Sequence, residues 1–313
     1  MKVKKLISVA VCALTLASLG TISASAQTDD VTASLRIEGV KDTFFYGNLT
    51  LKASEYSEPT VGDLLCFADE SEDSLTITGA DTGYITEVNG DKAGTYNPTK
   101  YDGWYYTVNG VSPDTGVSDC ALSDNDVVVL YYGDYPCSVP KIDTSFFSAD
   151  GTISFTADST TYEYNEETGQ WNSVTVTVPV TDMSVTLNGS LDYKTDENGK
   201  IKVDLLNAGF VSSPISLQVS KLSEYGAPAV LRYAPDFTID APDRSCDLYG
   251  DADSDGELSI RDVSLMQQYC AKISDLSAKA FISADVNCDC FVDINDVSLT
   301  QQALADLVKL PVA

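Results

Sequence analysis

The pattern of apolar and polar positions changes character three times along the chain. Residues 31–37 alternate as a half-buried strand does. Thr60 stands three residues before Asp63 and heads a run containing Leu64, Leu65 and Phe67, which predicts a short, capped amphipathic helix. Residues 83–90 and 103–110 read as strands, each closed by an Asn-Gly pair, Asn89-Gly90 and Asn109-Gly110. After a polar turn at 123–126, residues 127–132 form an apolar strand. Strands, one helix and more strands over residues 29–136 make a small α+β domain.

From 138 to 243 the texture is Thr, Ser and Val with strand alternation and no helical period. Residues 152–157, 160–164, 172–180, 184–187, 200–206 and 215–220 read as strands. Asn188-Gly189 and Asn198-Gly199 read as hairpin turns. Several short strands with regular turns predict a β-sandwich. Beyond 246 the period becomes helical. Val263, Met266 and Cys270, with Leu265 and Tyr269, recur at helical spacing. Val297, Leu304 and Val308, with Leu299 and Ala303, do the same. The expected architecture is therefore multidomain and mostly β: residues 29–136, 138–243, and an all-α module over 246–313.

The first residues belong to none of these. Lys2, Lys4 and Lys5 precede an apolar run over 6–19, and Ala24-Ser25-Ala26 precedes Gln27. Residues 1–26 read as a secretory signal peptide. The run is short for a membrane span, and no lipobox surrounds Cys12, so direct membrane insertion is not expected. The net charge is −28, nearer −31 once the three leader lysines are removed. Such acidity argues against nucleic acid or an anionic membrane as partner and suits an extracellular calcium binder. Histidine is absent, which removes Ser-His-Asp and Cys-His catalysis and His-ligated zinc. Cys66, Cys120, Cys137, Cys246, Cys270, Cys288 and Cys290 follow the leader, with no CxxC pair among them. An odd count leaves at least one thiol free or paired between molecules.

The C-terminal module repeats itself. Shifted by 34 residues, Asp251 falls on Asp285, Asp255 on Asp289, Ile260 on Ile294 and Asp262 on Asp296. Val263-Ser264-Leu265 falls on Val297-Ser298-Leu299, and Gln267-Gln268 on Gln301-Gln302. Each unit opens with alternating oxygen donors. In the first these are Asp251, Asp253, Asp255, the Glu257 carbonyl, Ser259 and Asp262. In the second they are Asp285, Asn287, Asp289, the Phe291 carbonyl, Asp293 and Asp296. Calcium takes six to eight hard oxygen ligands, and this alternation aims every second side chain at one centre. Two Ca2+ are expected. A helix follows each loop and none is expected before it.

Two loop–helix units of this kind resemble a type I dockerin, the family that docks enzymes and accessory proteins onto the cohesins of a scaffold protein. The resemblance implies a cohesin partner met by late-loop and helix residues. Here these are Ile260, Arg261, Gln267, Gln268 and Lys272 in one unit, and Ile294, Asn295, Gln301, Gln302 and Asp306 in the other. Cys288 and Cys290 stand where the family usually has glycine, and Cys290 takes a place that needs positive φ. Cys246, Cys270, Cys288 and Cys290 allow three pairings, and the two loop cysteines are expected to be oxidised in an exported chain.

Upstream, Gly83-Tyr84-Ile85, the stretch from Gly103 through Trp104, Tyr105 and Tyr106 to Asn109-Gly110, and the 122–127 turn and strand are similar to the transcobalamin-like C-terminal domain, also described as DUF4430. The element order resembles a β-grasp. In that resemblance Trp104, Tyr105 and Tyr106 offer stacking surface to a planar ligand such as a corrinoid. As strand aromatics, Trp104 and Tyr106 would instead fill the core, with Tyr105 opposite. The middle region is similar to bacterial immunoglobulin-like or carboxypeptidase-regulatory-like modules on its turns, including Asn188-Gly189, Asn198-Gly199 and Ala208-Gly209. Tyr162, Tyr164, Trp171 and Tyr193 are its candidates for a sugar-binding row.

These features together imply a secreted, non-catalytic binding protein, held at a cell surface indirectly through a scaffold protein and recruited into a polysaccharide-degrading complex. A corrinoid- or carbohydrate-binding surface protein is the first alternative. A dockerin-borne glycoside hydrolase is the second; it needs paired carboxylates in a substantial cleft, whereas the acids here lie mostly in turns.

Overall fold

The computed structural model describes residues 29–207 and 214–312. The expected signal peptide, residues 1–26, and Ala208-Gly209 lie outside the described residues.

The N-terminal elements are β1 (Val31–Glu38), β2 (Thr43–Leu51), α1 (Val61–Ser71), β3 (Ile77–Thr78), β4 (Glu87–Val88), β5 (Asp91–Lys92), β6 (Gly103–Val108) and β7 (Val127–Gly133). The main sheet runs β2-β1-β7-β6. β1 and β7 are parallel, with Leu35 beside Val128 and Ile37 beside Leu130, and the outer pairs are antiparallel. A mixed sheet crossed by one helix is the expected β-grasp-like arrangement. Strand alternation divides the sheet into two faces. Leu35, Ile37, Val128, Leu130 and Tyr132 pack with Val61, Leu64, Leu65 and Ala68 of α1. Thr60 caps the helix reciprocally with Asp63.

The other face carries Val129 and Tyr131, which pack with Leu231 of the middle region. Arg232 reaches the same face, 2.6 Å from Glu38, whose side chain is buried. Tyr46 donates a hydrogen bond to Asp236 at 2.7 Å. Middle-region side chains thus cover part of the sheet face that α1 leaves free.

Only Glu87 and Val88 of the expected 83–90 strand pair as strand residues. Gly83 is left-handed at φ 86° and closes a helical turn over Ala80–Thr82, so the chain bends before it extends. The Asn89-Gly90 turn forms as expected and joins β4 to β5.

The middle region holds β8 (Lys141–Asp143), α2 (Phe147–Asp150), β9 (Thr152–Asn165), β10 (Gln170–Pro179), β11 (Ser184–Leu187), β12 (Leu191–Lys194), β13 (Lys200–Lys202), β14 (Ile215–Ser220) and β15 (Thr238–Ile239). Two four-stranded sheets, one built on β9 and the other ordered β12-β11-β14-β15, enclose one core. Ile153, Phe155, Val185, Leu187, Leu217 and Val219 meet there, which makes the expected β-sandwich. Residues 152–157 and 160–164 belong to one continuous strand, since Asp158 and Ser159 pair with Thr177 and Val176 instead of turning. Asn198-Gly199 is not a hairpin turn. It carries the chain from β12 in one sheet to β13 in the other.

The C-terminal region holds α3 (Ile260–Cys270), α4 (Ala278–Ala284) and α5 (Ile294–Leu304). Its core joins Val263, Met266, Phe281, Ile282 and Val297 to Ala149 of α2, so this region is seated on the sandwich. The expectation that no helix precedes either loop fails at the second, where α4 leads directly into Asp285. α4 is short, and all five residues from Ala280 to Ala284 are buried, so no amphipathic stripe marks it. Among the described residues no helix is long and apolar enough to cross a membrane.

Candidate calcium loops and docking faces

Each loop is shaped by carboxylates accepting from its own backbone, and the pattern in one is copied in the other. In the first, the Asp255 amide donates to Asp251 Oδ1 and Asp253 Oδ1, both at 3.1 Å. In the second, the Asp289 amide donates to Asp285 Oδ1 at 3.0 Å and Asn287 Oδ1 at 3.1 Å. The sixth-place amide, Gly256 or Cys290, donates to Oδ2 of the first aspartate at 3.0 or 2.8 Å. Ligand oxygens of Asp251, Asp253 and Asp255 lie within 4.8 Å of one another. This hard, anionic oxygen cluster has the donor chemistry calcium selects.

The last aspartate of each loop has two tasks. Asp262 closes a capping box with Ser259 at the start of α3, and Asp296 does so with Asp293 at the start of α5. Both are fully buried. Loop closure and helix initiation therefore share one carboxylate in each unit, which links metal binding to helix formation.

The left-handed positions also repeat. Ser254 (φ 59°) and Gly256 (φ 88°) in the first loop answer to Cys288 (φ 58°) and Cys290 (φ 68°) in the second. The second loop thus adopts the glycine conformation without glycine, at some conformational cost. Cys288 and Cys290 are free thiols in the structure, as are the other five described cysteines, so the expected oxidation of this loop is not seen. Burial first, then the neighbouring Cys288 and Cys246 thiols, pushes the Tyr249 hydroxyl up to about 12.

Burial also pushes the Asp285 carboxyl up to about 6 and raises Asp296. Asp253 is raised by desolvation and then by Asp262, Asp255 and Asp251. A carboxyl raised in the folded state holds its proton more tightly there than in the unfolded chain. Folding stability of the metal-free module should therefore fall as pH rises from the ordinary carboxylate range through about 6. Metal-free protein should keep more of its residual helical circular-dichroism signal at pH 5 than at pH 7. Added calcium should reverse that order, because it favours the charged carboxylates.

One cation beside the second loop is a side chain. Arg244 donates through Nη2 to Asp285 Oδ2, and through Nη1 to the carbonyls of Ser148, at 2.9 Å, and Ala149. It shares Asp285 Oδ2 with the Cys290 amide, whereas Oδ1 accepts from the Asp289 amide. It also ties this loop to α2. The residue patterns did not single out Arg244, because it precedes the repeat.

The candidate cohesin contacts are placed as a surface should be. Ile260 and Ile294 are 66% and 65% exposed. Arg261, Gln267, Gln268, Lys272, Asn295, Gln301 and Asp306 are exposed, Gln302 partly so, and Val263 and Val297 are buried. Lys272 and Asp306 both sit at φ 57° just past their helices. The next residues, Ile273 and Leu307, are 75% and 73% exposed and were overlooked. The same 34-residue shift, carried past the helices, pairs two apolar residues there. The units face each other across equivalent positions: buried Thr300 donates to Met266 Sδ at 3.7 Å, one repeat apart. A pseudo-twofold axis between α3 and α5 accounts for this contact.

The aromatic candidates upstream separate. Trp104 is 8% exposed, packs edge-on against Tyr132 and donates its indole N–H to the Asp91 carbonyl at 2.9 Å. Tyr106 packs against the same core, and Tyr105 stacks toward Tyr131 and Tyr135 on the opposite face. Trp104, Tyr105 and Tyr106 therefore do not form one ligand platform, because strand alternation puts them on two faces and burial removes Trp104. In the sandwich, Tyr193 packs partly into the core, whereas Tyr162, Tyr164 and Trp171 are exposed.

Comparison with curated proteins finds no match. Residues 66–134 match the family model described as a domain of unknown function, DUF4430, which spans the segment from α1 to β7. Residues 249–305 match the model of the dockerin type I domain, a calcium-binding module that supports cohesin-mediated anchoring into a complex. The chain carries both: a DUF4430 domain, and a type I dockerin built on the two duplicated loops.

Proposed function

We propose that the chain is a secreted, non-catalytic accessory component of a polysaccharide-degrading complex, recruited by binding two calcium ions and one cohesin through its C-terminal module. The observation that carries this reading is the repeated unit itself. Two oxygen-donor loops with matching hydrogen bonds each start a helix that presents an exposed isoleucine and a Gln-Gln pair. Asp251, Asp253, Asp255, the Glu257 carbonyl, Ser259 and Asp262 would hold the first ion. Asp285, Asn287, Asp289, the Phe291 carbonyl, Asp293 and Asp296 would hold the second. The ions would neutralise the clustered charge and order the loops.

Fractionating native extracellular material tests this reading. The protein should travel with the high-mass polysaccharide-degrading fraction in calcium and leave it in chelator, and the purified chain should release no reducing sugar from starch, cellulose or xylan. Migration as a free monomer in calcium, or turnover of any of the three, contradicts it.

Arg244 gives a separate prediction. Its role is to orient Asp285 and to seat the module on α2. Arg244→Ala should weaken calcium binding at the second loop about tenfold, as loss of an orienting partner typically does, with the first loop unchanged. Calorimetric titration of calcium into the full chain reads this. Two unaltered sites would show that the pair only fastens the modules together.

A further inference from the structure

The hairpin β9–β10 extends beyond the sandwich it belongs to. Ile153, Phe155 and Ala157 face the core, but every residue from Asp158 to Tyr164 is exposed. On this outer part the register sets Trp171 opposite Tyr164 and Ser173 opposite Tyr162. Alternation then puts Tyr162, Tyr164 and Trp171 on one face of the ribbon. They are 64%, 53% and 67% exposed, and the Tyr164 and Trp171 rings lie 5.4 Å apart. A two-stranded ribbon has little core of its own, and three large exposed aromatics on it mark an interaction surface.

The rest of that face indicates what it meets. Toward the sandwich it continues as Thr160 opposite Thr175 and Asp158 opposite Thr177. Asp158 is the face's one charged residue there, and Lys141 pairs with it at 2.7 Å. The paired strands of this face are thus aromatic at their outer end, hydroxyl-bearing along their length and charge-balanced, with exposed Glu166 and Glu167 in the turn beyond, on a chain of net charge −28. Polyanions and anionic membranes are repelled by such a chain. The C–H faces of neutral sugar rings stack on aromatics, and their hydroxyls pair with Ser and Thr. The Tyr164 and Trp171 planes are inclined by 57°, so both cannot lie flat on one crystalline surface. They suit a single chain that twists with the ribbon.

We infer that the outer face of this hairpin binds a single, neutral polysaccharide chain through Tyr162, Tyr164 and Trp171. This goes beyond recruitment by the dockerin and stands on the hairpin alone, whatever the C-terminal module binds.

Affinity electrophoresis of the full chain tests it, in native gels containing soluble amylopectin, hydroxyethyl cellulose, arabinoxylan, galactomannan or, as the anionic control, polygalacturonate. At least one neutral glycan should retard the protein and polygalacturonate should not. Trp171→Ala should lower the affinity about tenfold, and Trp171→Ala with Tyr162→Ala should abolish it. The chain has two tryptophans. Binding should therefore change the emission of exposed Trp171, while the near-ultraviolet signal of buried Trp104 reports that the variants stay folded. No retardation by any neutral glycan overturns the inference, as does retardation that survives the double substitution. Concentration-dependent dimerisation lost in the same variant would assign the face to a second copy of the chain and overturn it equally.

Discussion

Stripped of calcium, the C-terminal module should lose most of its helical circular-dichroism signal, and with it all measurable affinity for a cohesin. The physical reason is a small core coupled to clustered charge. Val263, Met266, Leu276, Phe281, Ile282, Val292 and Val297 are the larger buried members of a hydrophobic cluster that serves this whole module, and domains of this size usually need a metal or disulfides in support. Against that core stand the oxygens of Asp251, Asp253 and Asp255, gathered within 4.8 Å. Without a cation their repulsion opposes the loop, and α3 loses the arrangement that places Asp262 in its capping box. Single substitutions should rank by burial. Asp285 is fully buried and paired with Arg244, so Asp285→Ala should cost about 3 kcal/mol by leaving that guanidinium's charge without its carboxylate, held by the Ser148 and Ala149 carbonyls alone. Asp251→Ala should cost less, since no arginine depends on it. An unchanged spectrum in excess chelator, with the metal shown to be gone, would refute the coupling.

The second large effect concerns the two docking faces. Substituting one face, Ile260→Asp with Gln268→Ala, should leave cohesin affinity within about twofold, the factor for losing one of two equal modes. Substituting the equivalent Ile294 and Gln302 as well should abolish binding. The argument rests on symmetry. Ile260 and Ile294 are exposed almost equally, Lys272 and Asp306 share one backbone conformation, and Met266 meets Thr300 where the axis must pass. Rotation by half a turn therefore presents nearly the same apolar anchor and amide pair, which suits a mixed interface. The symmetry breaks where Arg261 answers to Asn295 and Lys272 to Asp306, so a charged cohesin should favour one orientation modestly. Surface plasmon resonance on folded, calcium-loaded variants measures this. Loss of binding in either single-face variant would reduce the account to one face.

What could be read from residues alone follows from which forces are local. The loops were legible because ligand spacing is written directly in the chain and then repeated. The start of α1 was legible for the same reason, since Thr60 and Asp63 are near neighbours; Ser259 and Asp262 were read only as loop ligands, although they also cap α3. α4 was not, because its short, buried run has no polar face. Asp158-Ser159 looked like a break between strands, yet pairing with β10 carries them through. Side-chain exposure was the hardest to foresee. Trp104 and Trp171 both lie in strands among aromatic neighbours, and tertiary packing alone buries one and exposes the other. Arg244 is of the same kind, since its partners are distant in sequence on α2 and at Asp285.

The central claim is recruitment through a calcium-dependent dockerin. Its most direct test passes the full chain over an immobilised panel of cohesin modules, in calcium and then in chelator, beside the Asp251→Ala, Asp285→Ala double variant. The account predicts tight capture by at least one cohesin in calcium, release by chelator, and no capture of the double variant. Capture that persists in chelator or in the double variant, or no capture by any cohesin of the panel, would contradict it.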